Sequence, residues 1–187
     1  MQNDDQGFGR AALLAALAAY EASDTREALM VAIVEDFVGT TPECFLRTHR
    51  PGHITGSAWI VDEERSHALL VHHRKLDRWL QPGGHADGES DVLAVARREA
   101  REESGLTRLR PAREGIYDVD VHTIPGRGHE PEHVHYDLRF AFIADRTEPL
   151  VVSEESHALA WRPLVELDCD GVDESVRRLA RKTPRLP

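Results

Sequence analysis

Three glutamates stand close together in the middle of the chain: Glu99, Glu102 and Glu103. Spaced by three and four residues, they share one face of a helix. Like charges so placed repel, and the arrangement destabilises the helix that carries it. A hard divalent cation removes that penalty, because Mg²⁺ takes oxygen ligands and favours sites of few carboxylates completed by phosphate oxygens. Arg98 stands one turn before Glu102, where its guanidinium can orient that carboxylate by a charge-assisted hydrogen bond. Taken alone, the triplet also describes a solvated helix face of mixed charge. Its surroundings separate the two readings.

The helix is expected to begin at Ser90 or Asp91 and to end at Gly105, a C-cap, with Leu93, Ala96 and Ala100 packing on the other side. A loop from Arg74 to Gly88 precedes it, dense in Gly and Pro around Gln81-Pro82-Gly83-Gly84. Gly84, followed by Arg98-Glu99-Ala100-Arg101-Glu102-Glu103-Ser104-Gly105-Leu106, resembles the Nudix box. That box reads Gly, five residues, Glu, seven residues, Arg-Glu, an apolar residue, any residue, Glu-Glu, any residue, Gly and an apolar residue. Gly84 and the run from Arg98 to Leu106 match in register, with Ala100 in the apolar slot. The first glutamate position falls on Ser90, and Glu89 lies one residue earlier. Either the loop is one residue shorter here or Glu89 reaches the same place by a local backbone adjustment.

The resemblance implies an α/β (α+β) fold, the Nudix α-β-α sandwich around a mixed sheet. It also implies Mg²⁺, with Mn²⁺ as a substitute, held by Glu99, Glu102 and Glu103. The activity implied is metal-dependent hydrolysis of a diphosphate linkage in a small molecule, most often a nucleoside diphosphate joined to another group. Such a metal lowers the pKa of attacking water and neutralises charge on phosphoryl oxygens. A separate glutamate often serves as general base, outside the box and before a late tryptophan-containing strand. Glu154 and Glu155 precede Trp161 in that way, with Glu155 slightly preferred. Two other activities occur on this fold. The isopentenyl diphosphate isomerases carry a reactive cysteine near the box, and neither Cys44 nor Cys169 lies there. Non-catalytic ligand sensors usually lose box glutamates, and this chain keeps Glu99, Glu102 and Glu103 with Arg98.

Eleven histidines is a high count, and several are patterned. Asp118, Asp120 and His122 alternate with Val119 and Val121, and His133, His135 and Asp137 with Val134, Tyr136 and Leu138. On neighbouring strands these would form one polar wall. It suits the lining of a substrate cleft, an additional metal held by imidazole and carboxylate, or a solvated sheet face. His85 follows the paired glycines, where it can sit beside substrate phosphates. His85, His122, His133 and His135 are therefore the expected substrate-binding residues. His72, His73, Arg74 and Lys75 form a cationic cluster suited to anion contact or to a solvated loop, and Trp79 to core packing or to stacking on a base.

These residues must be positioned by a chain of 187 residues, 41% hydrophobic and 30% charged, enough to bury a core without disulfides. A net charge of -10 excludes a general nucleic-acid binder, which needs a basic stripe, but not a small anionic substrate reached through a metal. The first fifty residues read as two helices, Ala11–Glu21 and one capped by Asp24 and running to about Val38. Strands are expected at Ile54–Val61, Ala68–His72, Gly115–Thr123, Val134–Ala144 and Leu159–Arg162, with a final helix at Val172–Arg181. We divide the chain into a helical extension, residues 1–50, and a core, residues 51–187; the extension offers a homodimer surface. Cys44 and Cys169 match no metal spacing and read as ordinary thiols in a reducing compartment. No basic start precedes the apolar stretch Ala11–Ala19, which is too short to span a bilayer, so the expected location is cytoplasmic.

Overall fold

The computed structural model describes residues 4–128, 131–169 and 171–186. Two helices, α1 (Asp4–Ala18) and α2 (Thr25–Thr40), precede the strands β1 (Gly52–Val61), β2 (His67–His73), β3 (Arg78–Leu80) and β4 (Gly83–His85). Helix α3 (Val92–Ser104) leads into β5 (Arg110–Pro111), β6 (Asp118–Ile124), β7 (His133–Ile143) and β8 (Ser156–Pro163). The short α4 (Leu164–Leu167) and α5 (Glu174–Lys182) follow. The strands are hydrogen-bonded in the order β3-β2-β1-β7-β5, with β4 on β1, β6 on β7 and β8 on β2. Most neighbours are antiparallel. β1 and β7 are not: Val134 N donates to Pro51 O at 3.1 Å and Ala144 N to Val61 O at 3.0 Å, so both strands advance together. The sheet is mixed, as expected.

By contacts the chain forms two compact units, and β1, β4, α3 and β7 each contribute to both. The first unit comprises Met1–Gly56, Gly84–Val95 and Gly115–Arg139. Here Asp24 caps α2, accepting from Glu27 N at 2.8 Å, while Glu27 accepts from Ser23 N at 2.6 Å and from the Tyr20 hydroxyl at 2.6 Å. Val34, Phe37 and Val38 of α2 are buried, and Phe37 stacks on Tyr136 with ring centroids 3.8 Å apart. β6 and β7 pair in a register that sets Asp118 opposite Arg139, Asp120 opposite Asp137 and His122 opposite His135.

The second unit comprises Ser57–Gly83, Ala96–Glu114 and Phe140–Pro187. β2 carries β8 along one edge and, in succession, β1 and β3 along the other. Trp59, Ile60, Leu69, Leu70, Ala100, Leu106, Phe142 and Leu179 fill the interior. The Trp59 indole N–H is satisfied by Thr183 Oγ1 at 2.9 Å.

Two expectations need correction. The stretch Arg74–Gly88 is not one loop, because it contains β3 and β4. Strands of three residues are too short to show periodicity, and this one is secured by close approach. Ala58 N donates to Pro82 O at 2.8 Å, and a Cβ on Gly83 would lie 2.2 Å from Ser57 Oγ. The apolar face of α3 is also offset: Val92 and Val95 are buried along with Ala96 and Ala100, while Leu93 is half-buried.

Candidate active site

Helix α3 is defined at both ends. Asp91 Oδ1 accepts from Ala94 N at 3.0 Å, and Glu89 Oε1 accepts from Asp91 N at 2.9 Å. The last turn closes through Gly105, whose φ of +77° suits glycine, and whose added Cβ would lie 2.8 Å from the Val151 side chain. Glu89 is exposed and engaged at the helix start.

Within the second unit the helix brings Arg98, Glu99, Glu102 and Glu103 together. Arg98 Nη2 donates to Glu99 Oε1 at 2.7 Å, whereas its Nε is 4.0 Å from Glu102. Arg98 therefore orients Glu99 first, and Glu102, 61% exposed, only weakly. Sequence reasoning chose Glu102 because three or four residues make a turn, but the guanidinium reaches its immediate neighbour more closely. Glu103 is 6% exposed, and its Oε2 accepts from Gly83 N at 2.9 Å. The first of the paired glycines thus holds a box carboxylate directly.

Burial raises the carboxyl pKa of Glu99, against the pull of Arg98, with Glu102 and Glu155 adding to the rise. Burial raises Glu103 to about 7, against the Gly83 N–H, with Glu99, Glu155 and Glu102 adding repulsion. Glu155 thus acts on both glutamates. The Glu155 carbonyl accepts from Arg74 N at 3.0 Å, which ties this loop to the end of β2. Carboxylate oxygens are the donors that a hard divalent cation takes.

The cationic cluster before the box is engaged locally. His73 Nδ1 accepts from Lys75 N at 3.2 Å, burial lowers its pKa, and Arg74 Nη2 donates to Ser156 O at 3.2 Å. His72 lies 3.1 Å from Asp77 and stacks on Trp79. Trp79 also lines a cavity of about 540 Å³ with Leu70, Arg162, Leu167 and Asp173.

The polar wall of β6 and β7, in the first unit, divides into two parts. Its carboxylate end is a buried ion-pair network on Arg139. The guanidinium reaches Asp137 at 2.7 Å, Asp120 at 2.8 Å and Asp118 at 3.1 Å, and Thr55 donates to Asp137 at 2.9 Å. Burial opposes the charge on Arg139, yet Asp137, Asp120 and Asp118 together raise its pKa. These aspartates neutralise a buried cation and do not line a solvated cleft. The alternation 133, 135, 137 leads directly to Arg139.

The other end of the wall is imidazole. His135 packs among His53, His85 and His133 with ring centroids 5.0, 5.1 and 5.0 Å away, and His122 lies 5.5 Å away. Burial, then the charges of its histidine neighbours, lowers His135 to about 2, and burial lowers His53 to about 4. All four expected substrate-binding histidines thus gather in this unit. His53, at the start of β1, was not anticipated; its only local signal is that it alternates with Thr55.

A sequence model of the NUDIX domain matches residues 52–183. The chain belongs to the Nudix family. Solved structures of similar fold include a Nudix-family hydrolase from Clostridium perfringens, 22% identical, covering 72% of this chain and 98% of that one, TM-score 0.51. The Ap4A hydrolase of C. elegans is 17% identical over 71% of this chain and 95% of its own, TM-score 0.52. RenU, a Nudix hydrolase of M. smegmatis, is 20% identical over 73% of this chain and 89% of its own, TM-score 0.53. A comparison with curated proteins returned no match. The mixed sheet with its helices is the Nudix fold, and the chain is a Nudix-type hydrolase. No helix among the described residues is long and apolar enough to cross a membrane.

Proposed function

We propose that this Nudix hydrolase cleaves a diphosphate linkage in a nucleoside diphosphate derivative or a related small molecule, with Mg²⁺ or Mn²⁺ held by Glu99, Glu102 and Glu103. Glu103 carries the reading. It is a nearly buried carboxylate whose strongest electrostatic neighbours are three further carboxylates. A hard cation relieves that arrangement, and an all-oxygen donor set suits Mg²⁺. Bound there, the metal would supply a lowered water pKa and neutralise phosphoryl charge.

The remaining roles fall to the chain's own groups. Arg98 and the Gly83 N–H hold Glu99 and Glu103 in place. Glu155 is the proposed general base, accepting a proton from the attacking water; its influence on both Glu99 and Glu103 supports preferring it to Glu154. His85, His122, His133 and His135 are proposed as substrate contacts. Burial pushes the Cys44 thiol up to about 11, which leaves it unreactive and speaks against isomerase chemistry. We further propose a cytoplasmic enzyme in which residues 1–50 form a helical extension. Leu29 and Ile33, exposed one turn apart on α2, support a homodimer surface there.

The test is a substrate panel with Mg²⁺ or Mn²⁺, reading released phosphate or monophosphate. It should include ADP-ribose, a nucleotide sugar, nucleoside triphosphates and Ap4A, the compound named for the C. elegans neighbour. Glu102→Gln and Glu103→Gln should each lower turnover by orders of magnitude while circular dichroism stays unchanged, because an amide is a poor Mg²⁺ ligand. Full activity in both variants would defeat the proposal, and ligand binding without turnover across the panel would favour a sensor.

A further inference from the structure

The imidazoles of the first unit form a second concentration of metal-binding side chains, with donors of a different kind. One ring nitrogen from each of His53, His85 and His135 lies within 4.8 Å of the other two. The rings come from three separate strands, β1, β4 and β7. Their centroids form a nearly equilateral triangle, with sides of 5.0, 5.0 and 5.1 Å.

His53 is the decisive member. It is 3% exposed, and neither Nδ1 nor Nε2 makes a well-formed hydrogen bond among the described residues, though the His49 backbone also acts on the ring. A buried polar group so weakly partnered calls for an explanation. Protonation does not provide one, because it would place a charge on a buried ring among like neighbours. A neutral imidazole with an available lone pair is instead the usual ligand of borderline divalent ions.

The surroundings supply the supporting hydrogen bonds. His133 Nδ1 lies 3.0 Å from the Pro131 carbonyl, which can only accept, so that nitrogen carries the hydrogen. His133 Nε2 is then an acceptor for His135 Nε2, 3.2 Å away, which leaves His135 Nδ1 with the lone pair. Metal-binding histidines characteristically donate through their other nitrogen in this way.

We propose that His53, His85 and His135 form a tripod for a divalent transition-metal ion of the zinc class. Three imidazoles without a carboxylate select such an ion over Mg²⁺, which prefers oxygen. Zinc–nitrogen bonds of about 2.0–2.1 Å hold tetrahedral ligands roughly 3.3 Å apart. Nitrogens already within 4.8 Å reach that geometry if each ring moves by less than about 1 Å. Three protein ligands leave the fourth position for water or an oxygen of a bound molecule.

The experiment uses the full chain, stripped with a chelator, dialysed, and titrated with Zn²⁺ or Co²⁺ in excess Mg²⁺. One Zn²⁺ per chain should bind, and Co²⁺ should give the strong visible absorption of four-coordinate nitrogen ligation. His85→Ala and His53→Gln should each weaken Zn²⁺ binding at least about 100-fold, more than the loss of an outer-sphere partner. The double variant Glu99→Gln/Glu103→Gln should keep both the Zn²⁺ affinity and the Co²⁺ spectrum. His53 is buried, so if His53→Gln fails to fold by circular dichroism, the half-buried His85 decides. No Zn²⁺ uptake by wild type, unchanged affinity in His85→Ala, or loss of uptake in the glutamate variant would each overturn the proposal. This outcome is independent of the hydrolase assay, which reads turnover supported by the carboxylates.

Discussion

Replacing Glu103 by Gln should change how the stability of the metal-free protein depends on pH, in the sense opposite to an ordinary ion-paired carboxylate. Burial, followed by repulsion from Glu99, Glu155 and Glu102, lifts this carboxyl from 4.5 to about 7. Between those values the native state holds a proton that the unfolded chain has released, so stability is fully present below pH 4.5 and falls as pH rises to about 7. At about 1.36 kcal/mol for each pH unit, the displacement amounts to roughly 3 kcal/mol. The histidines act oppositely. With His53 lowered to about 4 and His135 to about 2, their contribution is present above 6.5 and is lost as pH falls. A raw stability curve mixes the two effects, so the informative quantity is wild type minus Glu103→Gln.

The assay is urea unfolding in EDTA between about pH 5 and pH 8. The amide still accepts from Gly83 N but does not titrate. Wild-type stability relative to the variant should fall by about 2–3 kcal/mol across that range. Saturating Mg²⁺ should reverse the fall at the upper end. A difference that stays flat, or that grows with pH, would refute the claim that Glu103 is a desolvated carboxylate among like charges.

Glu155→Gln should lower kcat by ~10²–10⁴-fold and remove the acidic limb of the pH–rate profile, with Glu154→Gln close to wild type; equal effects would disqualify Glu155 as the base. Glu89 is engaged with Asp91 N at the start of α3. Steady-state kinetics of Glu89→Gln should therefore show a much smaller loss than Glu103→Gln, and a comparable loss would make Glu89 a metal ligand. Arg139→Met should destabilise the fold by about 3–5 kcal/mol in urea titrations, because it removes the guanidinium that three buried aspartates share; retained stability would mean that those carboxylates take up protons at little cost.

The elements that position the carboxylates were legible because their determinants are local. The helix of the box announces itself through its i, i+3 and i+4 pattern and through Gly105, and a cap such as Asp24 is recognised within a few residues. What the carboxylates touch was less legible. That Glu103 accepts from Gly83 depends on β4 crossing Ser57 at backbone distance, which no short window of sequence encodes.

The polar wall shows the same limit in a sharper form. Alternation in β6 and β7 correctly sets their His and Asp residues on one face, since a strand's side chains repeat every second residue. Alternation cannot say what a third strand adds. β1 runs parallel to β7 and supplies Thr55 to Asp137 and His53 to the imidazole cluster. The register of β6 on β7 then sorts the face, with Asp118 opposite Arg139, Asp120 opposite Asp137 and His122 opposite His135. One continuous pattern in the sequence thus becomes a buried ion-pair network at one end. At the other it becomes a set of imidazoles with lone pairs to offer, and His53, which two residues of alternation place beside Thr55, separates a lined surface from a site able to hold an ion.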